Sequence, residues 1–176
     1  GKLSKRDGDR LGFPVFPLKW EDPTTGEISS GYRQKGYYPE AFINMLALLG
    51  WNPGTPQEIF SMEELIESFS LERVGKAGAK FDPDKAKWFN QQYLRSKSDE
   101  ELAESIAPLV KEKGFDKPLS FLAGVAKMMK ERASFIQEIV EGGMYFFERP
   151  TEYDEKTTRK KWKEQTPGYM RELLVL

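Results

Sequence analysis

From Pro39 onward the chain is divided by a series of helix-start signals, and this punctuation restricts its fold more than any other feature. Pro39 suits the first position of a helix, where a missing N–H is no loss. Ala41, Phe42, Met45, Leu46 and Leu49 then fall on one face. Gly50 is expected to cap that helix, with Trp51-Asn52-Pro53-Gly54 as a turn. Ser61 and Glu64 form a capping box ahead of Leu65, Ile66 and Phe69. Asp82 is expected to cap a helix opening at Pro83, with Trp88, Phe89 and Tyr93 at helical spacing. Ser98 and Glu101 form a second box, ahead of Leu102, Ile106, Leu109 and Val110, with Gly114 as the stop. The next helix is expected from Pro118, lined by Leu122, Val125, Ala126 and Met129. Ser134 with Gln137 restarts it after a bend, and Gly142-Gly143 end it. Met144 to Phe147 is too short to assign. Asp154 to Gln165 reads as a basic helix, and Pro167 opens a last one through Leu174.

The first 38 residues read differently. Val15, Phe16, Leu18 and Trp20 lie around Pro14 and Pro17, followed by Asp22-Pro23-Thr24-Thr25-Gly26 and then Ile28 and Tyr32. Apolar segments around a Pro-Gly turn predict a short hairpin, and the two prolines make its first run an edge or irregular strand. Ahead of it, Lys2, Lys5 and Arg6 crowd positive charge around Ser4. Nothing there has the apolar period of a helix or strand, so Gly1 to Asp9 is expected to be a loop. Such a loop is suited to a polyphosphate, with lysines as mobile point charges and Ser4 and backbone N–H groups as donors. A solvated basic terminus is the plainer alternative.

Composition removes several chemistries. The chain has no cysteine and no histidine, which excludes disulfides, thiolate or His-ligated metal sites and histidine acid–base catalysis. Basic and acidic residues number 27 and 28, for a net charge of −1, so any phosphate-binding face must be local. At 176 residues with 39% apolar content, one large or two small packed domains are expected. No apolar run reaches membrane-spanning length. The chain starts without methionine and inside a motif, which suggests a piece of a longer protein.

Lys2-Leu3-Ser4-Lys5-Arg6 resembles the KMSKS signature of class I aminoacyl-tRNA synthetases, in the form common among glutamyl-tRNA synthetases. Three further blocks follow in the family's order. They are Gly36-Tyr37-Tyr38-Pro39-Glu40-Ala41 with Asn44 to Trp51; Phe69 to Val74; and Phe81-Asp82 with Lys85, Lys87-Trp88-Phe89-Asn90 and Tyr93. Together they resemble bacterial glutamyl-tRNA synthetases over about a hundred residues, more weakly from 98 to 176. The stretch between Arg6 and Tyr38 is longer than in many members of that family.

The resemblance implies a mainly α fold in three parts. Residues 1–10 would be the signature loop at the tail of the catalytic domain. Residues 11–97 would be a helical stem-contact domain with a small β-hairpin near the N-terminus, and residues 98–176 the first part of an all-helical anticodon-binding domain. It implies a ligase that activates glutamate with ATP and Mg2+ and attaches it to the 3′ end of tRNA-Glu, as a cytoplasmic monomer without a membrane segment. Its Rossmann core would lie outside these residues, leaving the piece inactive alone. Lys5 and Lys2 would be catalytic, and Lys2, Leu3, Ser4, Lys5 and Arg6 would meet ATP. Arg73, Lys85, Lys87, Trp88 and Arg132 would contact tRNA, and no metal ligands are expected. For Arg73 and Arg132 the alternatives are an ion pair with an acid such as Glu72 and an exposed helix-end arginine. Arg159-Lys160-Lys161-Trp162-Lys163 sets an aromatic among cations, suited to phosphate tracking or to a solvated face with the indole turned inward. Two other readings stand beside this one: a helical protein-binding adaptor, and a synthetase that charges both tRNA-Glu and tRNA-Gln.

Overall fold

Asp22 closes the hairpin that the Pro-Gly turn predicts. Its Oδ1 accepts from the N–H groups of Thr24 (2.8 Å) and Thr25 (3.1 Å), while Gly26 takes the left-handed region at φ 69°. Strand β1 (Trp20–Glu21) then pairs antiparallel with β2 (Ile28–Ser29), Trp20 opposite Ser29 and Glu21 opposite Ile28. The computed structural model describes residues 4–76 and 78–175 and is otherwise mainly helical. No helix among the described residues is long and apolar enough to cross a membrane.

The chain forms two compact units, Gly1–Gly143 and Met144–Leu176. The divisions expected after residues 10 and 97 both fall inside the first. That unit carries α1 (Lys5–Leu11), the hairpin, α2 (Pro39–Gly50), α3 (Met62–Ser68), α4 (Pro83–Ser96), α5 (Asp99–Glu112), α6 (Leu119–Met129) and α7 (Ile136–Gly142). Helix α2 packs on α4, burying Met45, Ala86 and Phe89 among Tyr37, Phe42, Leu48 and Phe81. Trp51, Phe60 and Leu65 form a neighbouring cluster. Helices α5, α6 and α7 pack together over Leu102, Ile106, Val110, Leu122, Val125 and Ile139.

Where start signals are local, they act as expected. Both capping boxes form: Glu64 N–H donates to Ser61 Oγ at 3.2 Å, and Glu101 N–H to Ser98 Oγ at 3.1 Å. Asp82 caps α4 through the N–H groups of Asp84 and Lys85, and Gly114 follows α5 at φ 88°. Three expectations are corrected. Gly50 stays helical, and Trp51 caps α2 with extended backbone. Leu46 is 46% exposed, while Asn44 is buried on the inner face. Ser134 does not cap α7 through Gln137; its N–H donates to Glu138 Oε2 at 2.7 Å, and Phe135 takes the cap position.

Two buried asparagines fix the first unit. Asn44 Oδ1 accepts from Phe60 N–H (2.9 Å), and the Tyr93 hydroxyl lies 2.9 Å from it while donating to the Phe60 carbonyl. Asn90, fully buried, joins three segments far apart in sequence. Its Oδ1 accepts from Tyr38 N–H (2.8 Å), and its Nδ2 donates to the carbonyls of Gly36 (3.2 Å) and Ser134 (2.6 Å). Removing that amide strands buried backbone groups, each of which costs about 1–3 kcal/mol unpaired. Asn90→Ala is therefore expected to lower stability by about 3 kcal/mol in urea unfolding, with Asn90→Asp only partly rescuing it. A loss within the scatter of surface substitutions would show that the joint is held by packing alone.

The second unit contains a 3₁₀ turn (Met144–Phe146), α8 (Glu155–Lys161) and α9 (Thr166–Leu173). Asp154 caps α8 by accepting from Thr157 N–H at 2.6 Å. The basic helix ends at Lys161 with Trp162 as its cap, shorter than the span to Gln165 that its charge pattern suggested.

Candidate functional site

The signature segment is helical from Lys5 onward, which corrects the loop expected over Gly1 to Asp9; Lys2 and Leu3 lie outside the described residues. Ser4 and Asp7 form a capping box. Asp7 N–H donates to Ser4 Oγ (3.2 Å), and the Ser4 N–H (3.1 Å) and hydroxyl (2.6 Å) both donate to Asp7 Oδ2. Those bonds, from the hydroxyl first and then the backbone, hold the Asp7 carboxyl below the usual carboxylate range. A reciprocal box supplies a helix start without any apolar period, so the pattern of hydrophobic residues did not reveal it. The Ser4 hydroxyl is thus engaged inside α1, and Arg6 projects into solvent.

Lys5 is the residue whose surroundings are most constructed. Its Nζ lies 2.5 Å from Glu27 Oε2, on the hairpin that lengthens the stretch after the signature. The pair sits at a cleft of about 260 Å³ lined also by Gly8, Phe13, Phe16 and Lys35. Helix α1 lies hard against the chain that returns from it. A Cβ on Gly8 would come within 2.7 Å of Val15 Cγ1 and 2.8 Å of the Phe13 carbonyl oxygen.

Helix α4 carries Lys85, Lys87 and Trp88. Its period turns Ala86, Phe89 and Asn90 inward and leaves these three outside. They do not form one cluster. Lys85 and Trp88 share a face: Lys85 Nζ pairs with Glu58 Oε1 at 3.0 Å, and Trp88, 38% exposed, meets Phe89 edge-on at 5.0 Å. Lys87 turns the other way, with Nζ 3.7 Å from Glu138 Oε1 and 5.7 Å from the centre of the Phe135 ring.

Arg73 ends a 3₁₀ turn (Leu71–Arg73), and its Nη1 donates to the Pro53 carbonyl. The guanidinium closes over Gly54, whose φ is 78°, and Asn52 N–H donates to the Arg73 carbonyl at 3.2 Å. A backbone clamp therefore stands where an ion pair with Glu72 was the alternative.

Arg132 ends the 3₁₀ turn Lys130–Arg132 that continues α6. The turn is anchored by its two other residues. Arg95 of α4 reaches Glu131, with Nε 3.2 Å from Oε2 and Nη2 donating to its carbonyl, while Lys130 Nζ lies 2.7 Å from Asp99 Oδ1. Arg132 is exposed, and its side chain makes no hydrogen bond or ion pair among the described residues. The anchors Arg95, Asp99 and Lys130 escaped sequence reasoning, because only the fold brings them together.

In the second unit, Trp162 is 53% exposed, so the indole is not turned inward. Arg159 is tied to Glu155 at 3.3 Å, and Lys163 Nζ donates to the Arg159 carbonyl. Among the described residues, no group of three or more acidic side chains converges as a metal site.

Two family models together match residues 2–176. One, for the catalytic domain of class I tRNA synthetases (E and Q), matches residues 2–88, and the anticodon binding domain matches residues 87–176. They meet on α4. The chain is 59% identical over 173 residues to a glutamate–tRNA ligase of Phocaeicola vulgatus and 60% identical over 173 residues to that of Bacteroides fragilis. Each alignment takes in 98% of this chain and 34% of the relative, so the chain spans about a third of their length. The crystal structure of a glutamate tRNA ligase from Elizabethkingia meningosepticum, in complex with its amino acid, superposes with a TM-score of 0.90 at 48% identity, over 98% of this chain and 34% of that one. A glutamate–tRNA synthetase from Elizabethkingia anophelis gives 0.86 at 50% identity, over 91% of this chain and 32% of that one.

Proposed function

This chain belongs to the anticodon binding domain family, in the glutamate–tRNA ligase line of its relatives, and we propose that it is the tRNA-gripping part of such a ligase. The whole enzyme activates glutamate with ATP and transfers it to the 3′ end of tRNA-Glu, and works in the cytoplasm as a monomer. What supports the reading is the unbroken order of the two matches, with the signature lysine at one end and the exposed cations of α4 where they meet. Residues up to 10 serve the catalytic domain, 11–97 contact the tRNA stem, and 98–176 begin the anticodon-binding part.

Lys2 and Lys5 face the ATP phosphates, with Leu3, Ser4 and Arg6 beside the nucleotide. Ser4 contributes through the position its cap gives Lys5. Magnesium enters as the counter-ion of those phosphates; the chain adds the ammonium of Lys5 to the same charge. Lys85 with Trp88 on one face of α4, and Lys87 on another, meet the tRNA backbone and a sugar or base, while Arg73 shapes the 52–54 turn.

The activity is tested in the full-length ligase that contains this chain, by glutamate-dependent charging of tRNA-Glu. Absence of charging would overturn the reading. The grip is tested by titrating tRNA-Glu at several salt concentrations. Each phosphate contact contributes roughly 0.7–0.9 to the slope of log affinity against log salt. Lys85→Ala and Lys87→Ala are each expected to reduce that slope by about 1. Trp88→Ala should weaken binding at every salt with the slope unchanged, since stacking releases no counterion. Slopes unmoved by either lysine would remove α4 from the interface.

A further inference from the structure

We propose that Glu27 is a latch for Lys5: the hairpin carboxylate holds the signature ammonium in the resting enzyme and releases it to the polyphosphate as negative charge develops there. The proposal rests on reading Lys5 as a phosphate-facing lysine, and it gives the segment between the signature and Tyr38 a task.

The geometry favours a side-chain exchange over a remodelled loop. Both partners stand on fixed backbone. Lys5 opens a helix closed by the reciprocal Ser4–Asp7 box. Glu27 is held through both of its peptide groups: its N–H donates to Thr25 Oγ1 at 3.3 Å, and its carbonyl accepts from Asp22 N–H at 2.9 Å. Helix α1 lies close against the segment that leads into the hairpin, through the near approach of Gly8 to Val15 and Phe13. The hairpin ends are locked by Gly31, where a Cβ would meet the Leu18 backbone at 2.2 Å. A change in the two side chains alone is enough to part the pair.

The charges suit a releasable contact. The pair is partly open to water, with side-chain exposures of 30% for Lys5 and 62% for Glu27. An ion pair so placed is weak enough to be outbid by a polyphosphate. Asp22 adds a second hairpin carboxylate near the lysine. The N–H groups of Thr24 and Thr25 are the main cause of its lowered pKa, and Lys5 contributes further. The hairpin thus gives Lys5 a negative resting place beside the cleft, and among the described residues the lysine has one ion-pair partner to leave.

The test uses the full-length ligase with Glu27→Gln, which keeps shape and removes charge. Glutamate-dependent ATP–pyrophosphate exchange is expected to rise about threefold in kcat, with little change in the KM for glutamate. The rise should vanish in the Lys5→Ala background. Acylation of the Lys5 amine by a water-soluble acetylating reagent, read by mass spectrometry against Lys35, should also speed up about threefold in Glu27→Gln. Unchanged exchange and unchanged acylation would overturn the latch, as would an equal effect of Glu27→Gln with and without Lys5. Normal exchange by Lys5→Ala alone is a different failure: it overturns the reading of Lys5, and the latch with it.

Discussion

Replacing Lys5 by alanine in the intact ligase is expected to lower glutamate activation by about 100-fold or more, while glutamate binding changes little. The negative charge that Lys5 would meet grows as pyrophosphate leaves, so its contribution belongs mainly to the transition state. A cation placed for that charge is commonly worth a few kcal/mol, and each 1.4 kcal/mol is about a factor of ten. The structure offers little scope for an indirect effect. Helix α1 is held by the Ser4–Asp7 box and by Gly8 against Val15, and neither involves the lysine side chain. Among the described residues, alanine gives up the ion pair with Glu27, exposed and worth at most about 1 kcal/mol, and the weaker attraction of Asp22. The measurement is ATP–pyrophosphate exchange beside equilibrium glutamate binding. Comparable exchange by wild type and Lys5→Ala would rule the role out. A matched loss in glutamate affinity would mean that the substitution had disturbed the site as a whole.

What the sequence revealed follows the range of the interactions. Capping boxes are local, and Ser61–Glu64, Ser98–Glu101 and Asp82–Pro83 each start a helix where reading placed it. Helix α1 was missed because its first turn carries charge instead of an apolar stripe. In the fold Gly8 is the close-packing position that lets α1 lie on Phe13 and Val15. Asparagine is a residue type found mostly at the surface, yet Asn44 and Asn90 are among the least exposed of the described residues. Their partners lie 16 to 54 residues away, beyond any pattern in a local window. The same limit applies at the candidate site. Lys5 stood out by motif, but Glu27 could be joined to it only once the hairpin folded back. Arg73 matched a family position, and only the turn at Pro53 and Gly54 shows what its guanidinium grips.

If Arg132 reads an anticodon base, as the resemblance to glutamyl-tRNA synthetases implies, Arg132→Gln in the intact enzyme is expected to raise charging of tRNA-Gln relative to tRNA-Glu by about 5- to 150-fold. Phosphate contacts hold a tRNA in register, whereas base contacts discriminate, and a bidentate arginine–base contact is worth roughly 1–3 kcal/mol of discrimination. The 130–132 turn is built for a fixed presentation. Glu131 is bound by Arg95 and Lys130 by Asp99, while Arg132 projects from the same turn. Those anchors also decide the control. Lys130→Ala would break the pair with Asp99 and a 3.4 Å contact to the Lys97 carbonyl, loosening the turn itself. Lys127, exposed one turn earlier on α6, tests charge without that damage, and Lys127→Ala should weaken both tRNAs alike or leave them unchanged. The deciding quantity is kcat/KM for both tRNAs with both variants. An equal fall for both with Arg132→Gln would make the residue a phosphate contact. With neither value moved, the anticodon is read elsewhere, because a guanidinium held so openly on an anchored turn has no structural duty to mask the loss of a base contact.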